Sequence, residues 1–578
     1  MSFLRSFPGA GVLRRPALRW VDLLVGGALL VLLFLVVRLS ASLNAPFDVG
    51  TAPTQVSTDP AELPGYAARS LLRMFIALGA SVVFTFVFAT AAARLRRAEK
   101  VLLPVLDILQ SVPILGFLSV TVTGFIALFP HSMLGLECAS IFAIFTSQAW
   151  NMAFAFYYAL ISQPKELDEA ARLMRLTKWQ RFWKLDVPAG MIPLVWNGMM
   201  SFGGGWFFLA ASEAISVNNQ DYALPGVGAF VAAAVEQGQL DRVWWAILTM
   251  AVMVLGVNFL FWRPLVAWAE KFRQEETVAA EKPRSLVLDT LRRSTLPHAF
   301  ARVVRPAGRA LDTLTRPFGL AEHPLHTPVL ARRSGDVVFG LVVGAAVLFG
   351  AWHALVFIQD GTGLGTFGEA FALGALTFAR VAVILVVATL VWVPIGVWIG
   401  MNPRISRLAQ PIVQLLASFP ANFLFPFVIA FFVAANVSLD FGGIVLMSLG
   451  AQWYILFNVI AGASAIPTDL RQAMDSFGVS RWQRWRKLIL PAIFPSYVTG
   501  GITAAGGAWN ASIVAEIVTY NHQTLTATGL GSYIADATGT GDMTRVLVGV
   551  IVMSVYVVGL NRLFWRRLYR LAETRYSL

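Results

Sequence analysis

The chain has 578 residues, of which 57% are hydrophobic and only 13% are charged, and its mean hydropathy is +0.67. Soluble globular chains carry about 25% charged residues, so the composition excludes a soluble protein and indicates one embedded in a membrane. The formal net charge is +13, and the single cysteine, Cys138, excludes a disulfide framework and a cysteine-based metal cluster.

Twelve apolar runs, taken in chain order, are predicted to span the membrane. Crossing about 30 Å of hydrocarbon takes a helix of roughly 20 mostly apolar residues. The first six runs lie near residues 20–42, 66–93, 108–130, 133–161, 191–217 and 243–268. The second six lie near residues 335–358, 371–399, 409–435, 440–463, 493–518 and 545–565. Pro113 and Pro420 interrupt the third and ninth runs.

The first run, which follows several arginines, also has features of a signal peptide. Because a matching run opens the second half of the chain, we interpret the first run as an uncleaved transmembrane helix. Basic residues occur in alternate loops, whereas the loops near residues 43–65, 131–137, 218–241, 359–370 and 519–544 contain no lysine or arginine. Loops rich in lysine and arginine stay in the cytoplasm, so we expect both termini to be cytoplasmic.

A charged segment separates the two sets of runs. We interpret residues 271–334 as a basic cytoplasmic linker between a first transmembrane domain, residues 1–270, and a second, residues 335–578. Residues 286–314 show some helical periodicity with several arginines, so part of the segment could instead lie on anionic lipid headgroups.

The chain contains an internal repeat with an offset of 303 residues. The polar stretch Gln163–Ala189 interrupts the apolar runs and returns as Ile466–Ala492. Because each copy has an even number of spans, the halves are predicted to be parallel, with a shared pathway between them. The predicted fold is an all-α polytopic membrane protein with about twelve transmembrane helices in two homologous parallel halves of six.

Each polar stretch predicts two short helices joined by a turn. Thr177 with Gln180, and Ser480 with Gln483, have the spacing of capping boxes, and Gly478 is a helix-ending glycine. Such an amphipathic pair could rest on the membrane surface or dock into a groove of a soluble partner. The duplication favours docking to a symmetric pair of partner subunits.

With these residues the chain resembles the permease subunits of binding-protein-dependent bacterial ABC importers. Their signature is Glu-Ala-Ala, three residues, Gly, nine residues and Ile-x-Leu-Pro. The corresponding residues are Glu169, Ala170, Ala171 and Arg175 in the first stretch, and Gln472, Ala473, Met474 and Gly478 in the second. Segments at residues 70–73, 377–380, 104–113 and 411–420 look like the nitrate, sulfonate and taurine branch, in its duplicated and fused form.

The resemblance implies that the polar stretches are coupling helices for two ATP-binding subunits, with Arg181 and Arg484 among their contacts. It also implies an external solute-binding protein, a bacterial inner-membrane location and a small solute, such as the anions nitrate, sulfonate or taurine. The sequence has no Gly-x-x-x-x-Gly-Lys-Ser/Thr motif, so ATP and Mg²⁺ are expected in the partner subunits. We expect this chain to be no enzyme, to hold no cofactor or metal, and to bind no nucleic acid.

Two other interpretations remain open at this point. A duplicated iron or thiamine permease of the same class would also carry two coupling stretches. A secondary transporter with twelve helices would also have parallel halves, but it would need no ATPase.

Ionisable side chains inside the predicted spans cost about 2.5 kcal/mol or more at the middle of the bilayer. Glu213 and Glu516 occupy equivalent positions of the repeat, close to Trp206 and Trp509. Each glutamate could pair with an arginine or cap a neighbouring helix. Alternatively, these four residues could line the solute pathway.

Overall fold

The computed structural model describes residues 20–41, 56–112, 114–217, 220–272, 285–296, 310–315, 329–521 and 523–575, together with residues 302, 306 and 308. The arginines before the first run, Pro113 and most of the predicted linker lie outside these residues.

The first half consists of helices and one β-ribbon. The helices are α1 (Trp20–Ala41), α2 (Leu63–Arg94), α3 (Arg96–Ser111), α4 (Leu118–Leu128), α5 (Leu134–Ile161), α6 (Lys165–Leu173), α7 (Lys178–Arg181), α8 (Val187–Glu213), α9 (Val227–Glu236), α10 (Leu240–Val257) and α11 (Arg263–Ala269). Strands β1 (Ala214–Val217) and β2 (Gln220–Ala223) pair antiparallel between α8 and α9. Helix α12 (Leu286–Arg293) lies in the predicted linker.

The second half repeats this order. Its helices are α13 (Val329–Asp360), α14 (Thr366–Met401), α15 (Pro403–Ser418), α16 (Phe425–Ala434), α17 (Leu439–Ser464), α18 (Thr468–Ser476), α19 (Arg481–Arg484), α20 (Leu490–Ala515), α21 (Leu530–Thr540), α22 (Met543–Leu560) and α23 (Arg566–Arg575). Strands β3 (Ile517–Tyr520) and β4 (Gln523–Thr526) form the second antiparallel ribbon, between α20 and α21.

The predicted all-α polytopic architecture in two halves is confirmed. Among the described residues, seven helical stretches are long and apolar enough to cross a membrane. They are Pro60–Arg94, Leu240–Phe272, Asp336–Asp360, Thr366–Met401, Leu439–Ser464, Arg481–Ala515 and Met543–Ala572. Helices α1, α5 and α8 cover the first, fourth and fifth predicted spans.

The third span of each half is a broken helix. Val112 and Phe419, which precede the two prolines, have extended backbones with ψ of 125° and 131°. A proline disfavours the helical conformation in the residue before it. Each break continues as a short 3₁₀ turn, Ile114–Phe117 in the first half and Ala421–Phe423 in the second, before α4 or α16 begins.

These broken spans cross between the halves. Ile114, Leu115 and Leu118 are buried in the hydrophobic core of the second half, and Phe423 is buried in the core of the first. The amide of Ile114 also donates to Oδ1 of Asn510 over 3.0 Å. The two halves therefore share their cores rather than meeting at a flat surface.

Two regions identified from the sequence only as loops lacking basic residues contain regular structure. In each half a β-ribbon and a short apolar helix, α9 or α21, follow the fifth span. We call this end of the bundle the ribbon end. The opposite end, which carries α6, α7, α18 and α19, is called the basic end.

Part of the linker is attached to the first helix. The buried carboxylate of Asp22 on α1 accepts hydrogen bonds from the Ser294 hydroxyl at 2.7 Å and the Thr295 amide at 2.6 Å. These bonds hold the end of α12 against the bundle. The two interpretations of the linker, solvated or lying on headgroups, mostly concern residues outside the described part of the chain and stay predictions.

Candidate coupling hairpins and solute cavity

The first polar stretch forms a helical hairpin of α6 and α7, called the first hairpin. Helix α6 ends because Arg175 adopts a left-handed conformation with φ of +46°, and the Leu176 amide donates to the Ala171 carbonyl over 3.1 Å. Helices α18 and α19 form the second hairpin, in which Gly478 has φ of +60°. Both turns therefore have the same form, although a side chain at Arg175 costs about 1–2 kcal/mol there.

The second helix of each hairpin begins at the predicted cap. The Gln180 amide donates to Thr177 Oγ1 over 3.1 Å and the Thr177 amide donates to Gln180 Oε1 over 3.3 Å, so the first capping box is confirmed. In the second hairpin Ser480 Oγ accepts from the Gln483 amide over 3.4 Å. The reciprocal bond is not among the described contacts there, so this cap is a single bond and not a full box.

An arginine of the second helix braces each hairpin. Arg181 on α7 forms an ion pair with Asp168 on α6, and Arg484 on α19 forms an ion pair with Asp475 on α18. The arginines are equivalent in the repeat, but the two aspartates lie on different turns of their helices. The same brace is therefore built from a different acidic position in each copy.

The first hairpin is joined to the end of α2 through Asp186. Its buried carboxylate lies 2.5 Å from Nη2 of Arg94, the last residue of α2. Nε of Arg181 lies 3.8 Å from the same oxygen, and Gln163 donates to it over 3.4 Å. A movement of the first hairpin would therefore act directly on α2.

The second hairpin is joined to α14, the helix equivalent to α2, by a hydrogen bond instead of an ion pair. Arg471 occupies the position of Asp168, with the opposite charge. Its guanidinium donates to the carbonyls of Ala463 at 2.8 Å and Met401 at 3.3 Å, in the last turns of α17 and α14. Cations are favoured at such carboxyl ends of helices, and the bond to Met401 joins the second hairpin to α14.

The predicted coupling residues differ in exposure. Glu169, Arg175, Gln472, Ala473 and Gly478 are exposed, Ala170, Met474, Arg181 and Arg484 are partly buried, and Ala171 is buried. Large apolar side chains are exposed beside them, with Leu173 at 86% and Phe477 at 83%. Exposed apolar side chains rimmed by charge are typical of a surface that docks a protein partner.

A cavity of about 440 Å³ lies between the two halves. It is lined by α5 and α8 of the first half and by α17 and α20 of the second, with Asn151, Ser201, Tyr454, Thr503 and Asn510 among its polar residues. Among the described residues that line it, none carries a charged side chain. The cavity can therefore form hydrogen bonds to a small solute without binding it through a full charge.

A buried ion cluster lies towards the ribbon end of the first half. Arg73 on α2 donates to Glu137 on α5 over 2.6 and 2.7 Å and to Glu213 on α8 over 2.6 Å. Glu213 also accepts from the Ser70 hydroxyl over 2.6 Å and from the Gly228 amide over 2.7 Å. The cluster therefore fastens α2, α5, α8 and the start of α9 together.

The second half contains the same cluster. Arg380 on α14 donates to Glu516 over 2.8 Å and to Asp440 over 3.0 Å. Glu516 accepts from the Thr377 hydroxyl over 2.9 Å and from the Gly531 amide over 2.7 Å. The clusters differ in exposure, because the Asp440 side chain is 45% exposed whereas that of Glu137 is 8% exposed.

A glycine at the same position of each repeat lets Glu213 and Glu516 reach the backbone amides of α9 and α21. A Cβ atom on Gly226 would collide with the carboxylate of Glu213, and one on Gly529 would collide with that of Glu516. These glycines precede α9 and α21, whose first amides need an acceptor.

The four residues considered for the pathway lie in different surroundings. Glu213 and Glu516 pair with arginines and cap α9 and α21, which matches the structural alternative. Trp206 is buried against Phe202, with ring centroids 5.5 Å apart, whereas Trp509 lines the cavity. A direct role in transport stays a prediction for all four.

Three acidic residues of these ion pairs, Glu137, Asp440 and Asp186, were not singled out from the sequence. The repeat offset places Glu137 opposite Asp440, so a search for paired charges within the spans would have found both. Asp186 has no such signal, because the second copy has Ile489 at that position. Among the described residues, no group of three or more His, Cys, Asp or Glu could hold a metal ion.

Comparison with protein families decides the identity of the molecule. The model of the binding-protein-dependent transport system inner membrane component matches residues 63–263 and again residues 392–576. The two matches cover more than half of the chain. The chain belongs to this family, and it carries the family domain twice. It is a multi-pass permease subunit of the inner membrane, and the family description implies a solute-binding protein as a partner.

Several permeases resemble this one. It is 26% identical to a nitrate import permease of Leptolyngbya laminosa, over 41% of this chain and 94% of that protein. It is 26% identical to a glycine betaine/proline betaine transport system permease of Escherichia coli, over 39% of this chain and 64% of that protein. It is also 26% identical to a bicarbonate transport system permease of Synechococcus elongatus, over 35% of this chain and 69% of that protein.

Proposed function

We propose that this permease forms the translocation pathway of an ATP-driven importer, and that its two hairpins couple the pathway to two separate ATPase subunits. The observation that carries the proposal is the repeated hairpin. Both copies have the same left-handed turn, the same arginine brace and a connection to the second span of their half. ATP and Mg²⁺ would be bound by the ATPase subunits. The basic end would face the cytoplasm, together with both termini.

The residues for ATPase contact are those of the family signature and their exposed neighbours. In the first hairpin these are Glu169, Ala170, Ala171 and Arg175, and in the second they are Gln472, Ala473, Met474 and Gly478. Arg181 and Arg484 would hold the two helices of each hairpin at the angle that the partner recognises, since both are engaged in ion pairs inside their hairpins.

We propose a small solute of the nitrate, sulfonate and taurine class, most simply an anion such as nitrate or a sulfonate; taurine carries a sulfonate and also an ammonium group. Relatives named for nitrate and bicarbonate import support this class. The uncharged lining of the cavity supports weak, transient binding, so the external solute-binding protein would make the selection. A small zwitterion is the second candidate, because a relative is named for glycine betaine transport and the lining favours neither class by charge.

The test is uptake by proteoliposomes that contain the permease with its co-purifying ATPase and solute-binding protein. We expect uptake of nitrate with ATP and Mg²⁺, and none with a non-hydrolysable ATP analogue. Glycine betaine, ferric iron and thiamine, tested in parallel, separate the candidate solutes. Uptake by this chain alone without ATP would contradict the proposal and favour a secondary transporter.

A further inference from the structure

The ribbon of the second half reaches the first half at the ribbon end. Asn521, in the turn between β3 and β4, donates its amide to the carbonyl of Val235 in α9 over 3.3 Å. Its side chain lies against Gly238, just beyond that helix. The neighbouring ring of Tyr520 lies between the two halves and packs against the hydrophobic cores of both. The tip of this ribbon is therefore held by the opposite half.

The ribbon of the first half also contacts the second half. Leu224, directly after β2, is buried within the core of the second half, and Tyr222 packs against that core. Strand β1 also contacts α21 of the second half. In the described residues, each ribbon therefore contacts the short helix, α9 or α21, that follows the ribbon of the opposite half.

The base of each ribbon is fixed to its own half. The ribbons start directly after Glu213 and Glu516, the glutamates of the buried ion clusters. Backbone bonds from Leu224 to Glu213 at 2.8 Å and from Ala527 to Glu516 at 2.7 Å close the two bases. Each ribbon is therefore anchored strongly in its own half. In contrast, Asn521 is linked to the first half by a single backbone hydrogen bond of 3.3 Å.

The cavity stops short of the ribbons. On α8 its lining ends at Phe208, and on α20 it ends at Ala511. Both helices continue towards the ribbon end, where Leu224 and Leu530 are buried and Tyr222 and Tyr520 are partly buried. With the ribbons crossed, packed side chains separate the cavity from the ribbon end.

We propose that the crossing ribbons are the gate of the pathway at the ribbon end. The contact of Asn521 and Tyr520 with the first half keeps the gate shut, and the gate opens when the two halves move apart with their own ribbons. The inference rests on the proposed function, in which this end faces the external solute-binding protein and opens when the ATPases close.

A disulfide across the contact tests the gate. A Cβ atom on Gly238 would lie 3.8 Å from Cβ of Asn521, within the range of about 3.5–4.5 Å that disulfides span. The double variant Gly238→Cys with Asn521→Cys is made in a Cys138→Ser background. The matched control is Thr519→Cys with Thr524→Cys, which are paired within one ribbon.

We expect the Gly238–Asn521 pair to cross-link in the resting complex, and its yield to fall by about tenfold when vanadate and ATP trap the closed ATPases. The control pair should cross-link equally in both states. Oxidation should abolish ATP-driven nitrate uptake only in the pair that joins the halves, and reduction should restore it. Absence of a cross-link at rest, or full uptake by the oxidised pair, would overturn the proposal.

A second variant needs no cysteines and covers a folding failure of the first. Tyr520→Ala removes the ring that packs against the first half, and should raise ATP-independent nitrate leak from loaded vesicles by about tenfold. Tyr569→Ala, on α23 at the other end, is the control and should leave the leak unchanged. An unchanged leak in Tyr520→Ala would contradict the gate. Failure of ATP-driven uptake in the unmodified complex, with the cross-link and leak results intact, would instead contradict the proposed function.

Discussion

At the scale of single residues, the molecule depends on two buried arginines that each neutralise carboxylates from two other helices. Removing a charged group from water costs several kcal/mol, which is offset only by well-placed partners. Arg73 meets this condition with Glu137 and Glu213, all of them buried. Glu213 is further stabilised by a hydroxyl and a backbone amide. Burial of this kind locks the helices in one arrangement.

The different exposure of the two clusters gives a prediction. Arg73→Met would leave two buried carboxylates without a cation, and breaking such a buried pair costs about 3–5 kcal/mol. Arg380→Met would leave Glu516 buried, but Asp440 is half exposed and can be hydrated. We therefore expect Arg73→Met to lower the thermal unfolding temperature of the purified permease further than Arg380→Met does.

The conservative variants Arg73→Lys and Arg380→Lys serve as controls, since each keeps the charge. Equal destabilisation by the two methionine variants would show that Asp440 is as dependent on its arginine as Glu137 is.

At the scale of elements, the two hairpins have one shape but different attachments. The first helices of the two hairpins carry opposite charges at one equivalent position, which is Asp168 in the first hairpin and Arg471 in the second. The first hairpin is tied to α2 by the ion pair of Asp186 with Arg94, whereas Arg471 ties the second hairpin to α14 through a backbone carbonyl. The two ATPase contacts should therefore not be equivalent.

Large side chains at the two signature alanines test this inequality. Ala170 is partly buried against the bundle, whereas Ala473 is exposed. Ala170→Trp would overpack the hairpin, at a cost of about 1–3 kcal/mol, and would obstruct the partner as well. Ala473→Trp would only obstruct the partner. We expect solute-stimulated ATP hydrolysis to fall further in Ala170→Trp, with Ala170→Ser and Ala473→Ser as controls. Equal losses would argue against unequal contacts.

The sequence allowed the elements to be predicted better than their contacts. Hydropathy and the repeat predicted the spans, the parallel halves and the hairpins, because apolar length and cap spacing are local properties. The prolines correctly indicated that the third spans are interrupted. The crossing of Ile114 and Phe423 into opposite halves was not predictable, since it depends on how the two halves pack together.

In the candidate site, too, the contacts between residues were harder to predict from the sequence than the elements. Arg175 stands where the family signature has glycine, yet it has the same left-handed conformation as Gly478. The ribbons were missed because β1–β4 are only four residues long and lie among short loops. Glu213 and Glu516 were singled out correctly as unusual, but their partners became evident only in the folded molecule.

At the scale of the whole molecule, the two halves are interwoven. The third span of the first half reaches the core of the second, and Phe423 of the second half is buried in the core of the first. Trp244 of the first half also packs against Phe427 of the second, with ring centroids 4.7 Å apart. These contacts should therefore hold the folded halves together without the predicted linker.

Splitting the chain tests this conclusion. Fragments 1–320 and 321–578, expressed together, should co-purify and support ATP-driven uptake, because α12 stays with the first fragment and the crossing spans are intact. Phe423→Ala in the second fragment should weaken their association, since loss of a buried phenylalanine costs about 3–5 kcal/mol. The control is Phe441→Ala, at an exposed position of α17. Recovery of the fragments as separate species would contradict the interwoven arrangement.

Native mass spectrometry of the purified complex tests whether each hairpin holds one ATPase subunit. We expect one permease chain with two ATPase subunits. Leu173→Asp with Met174→Asp in the first hairpin, or Phe477→Asp with Trp482→Asp in the second, should each leave one ATPase subunit, and the combined variant should leave none. A complex that keeps both ATPase subunits in the combined variant would show that the hairpins do not hold them.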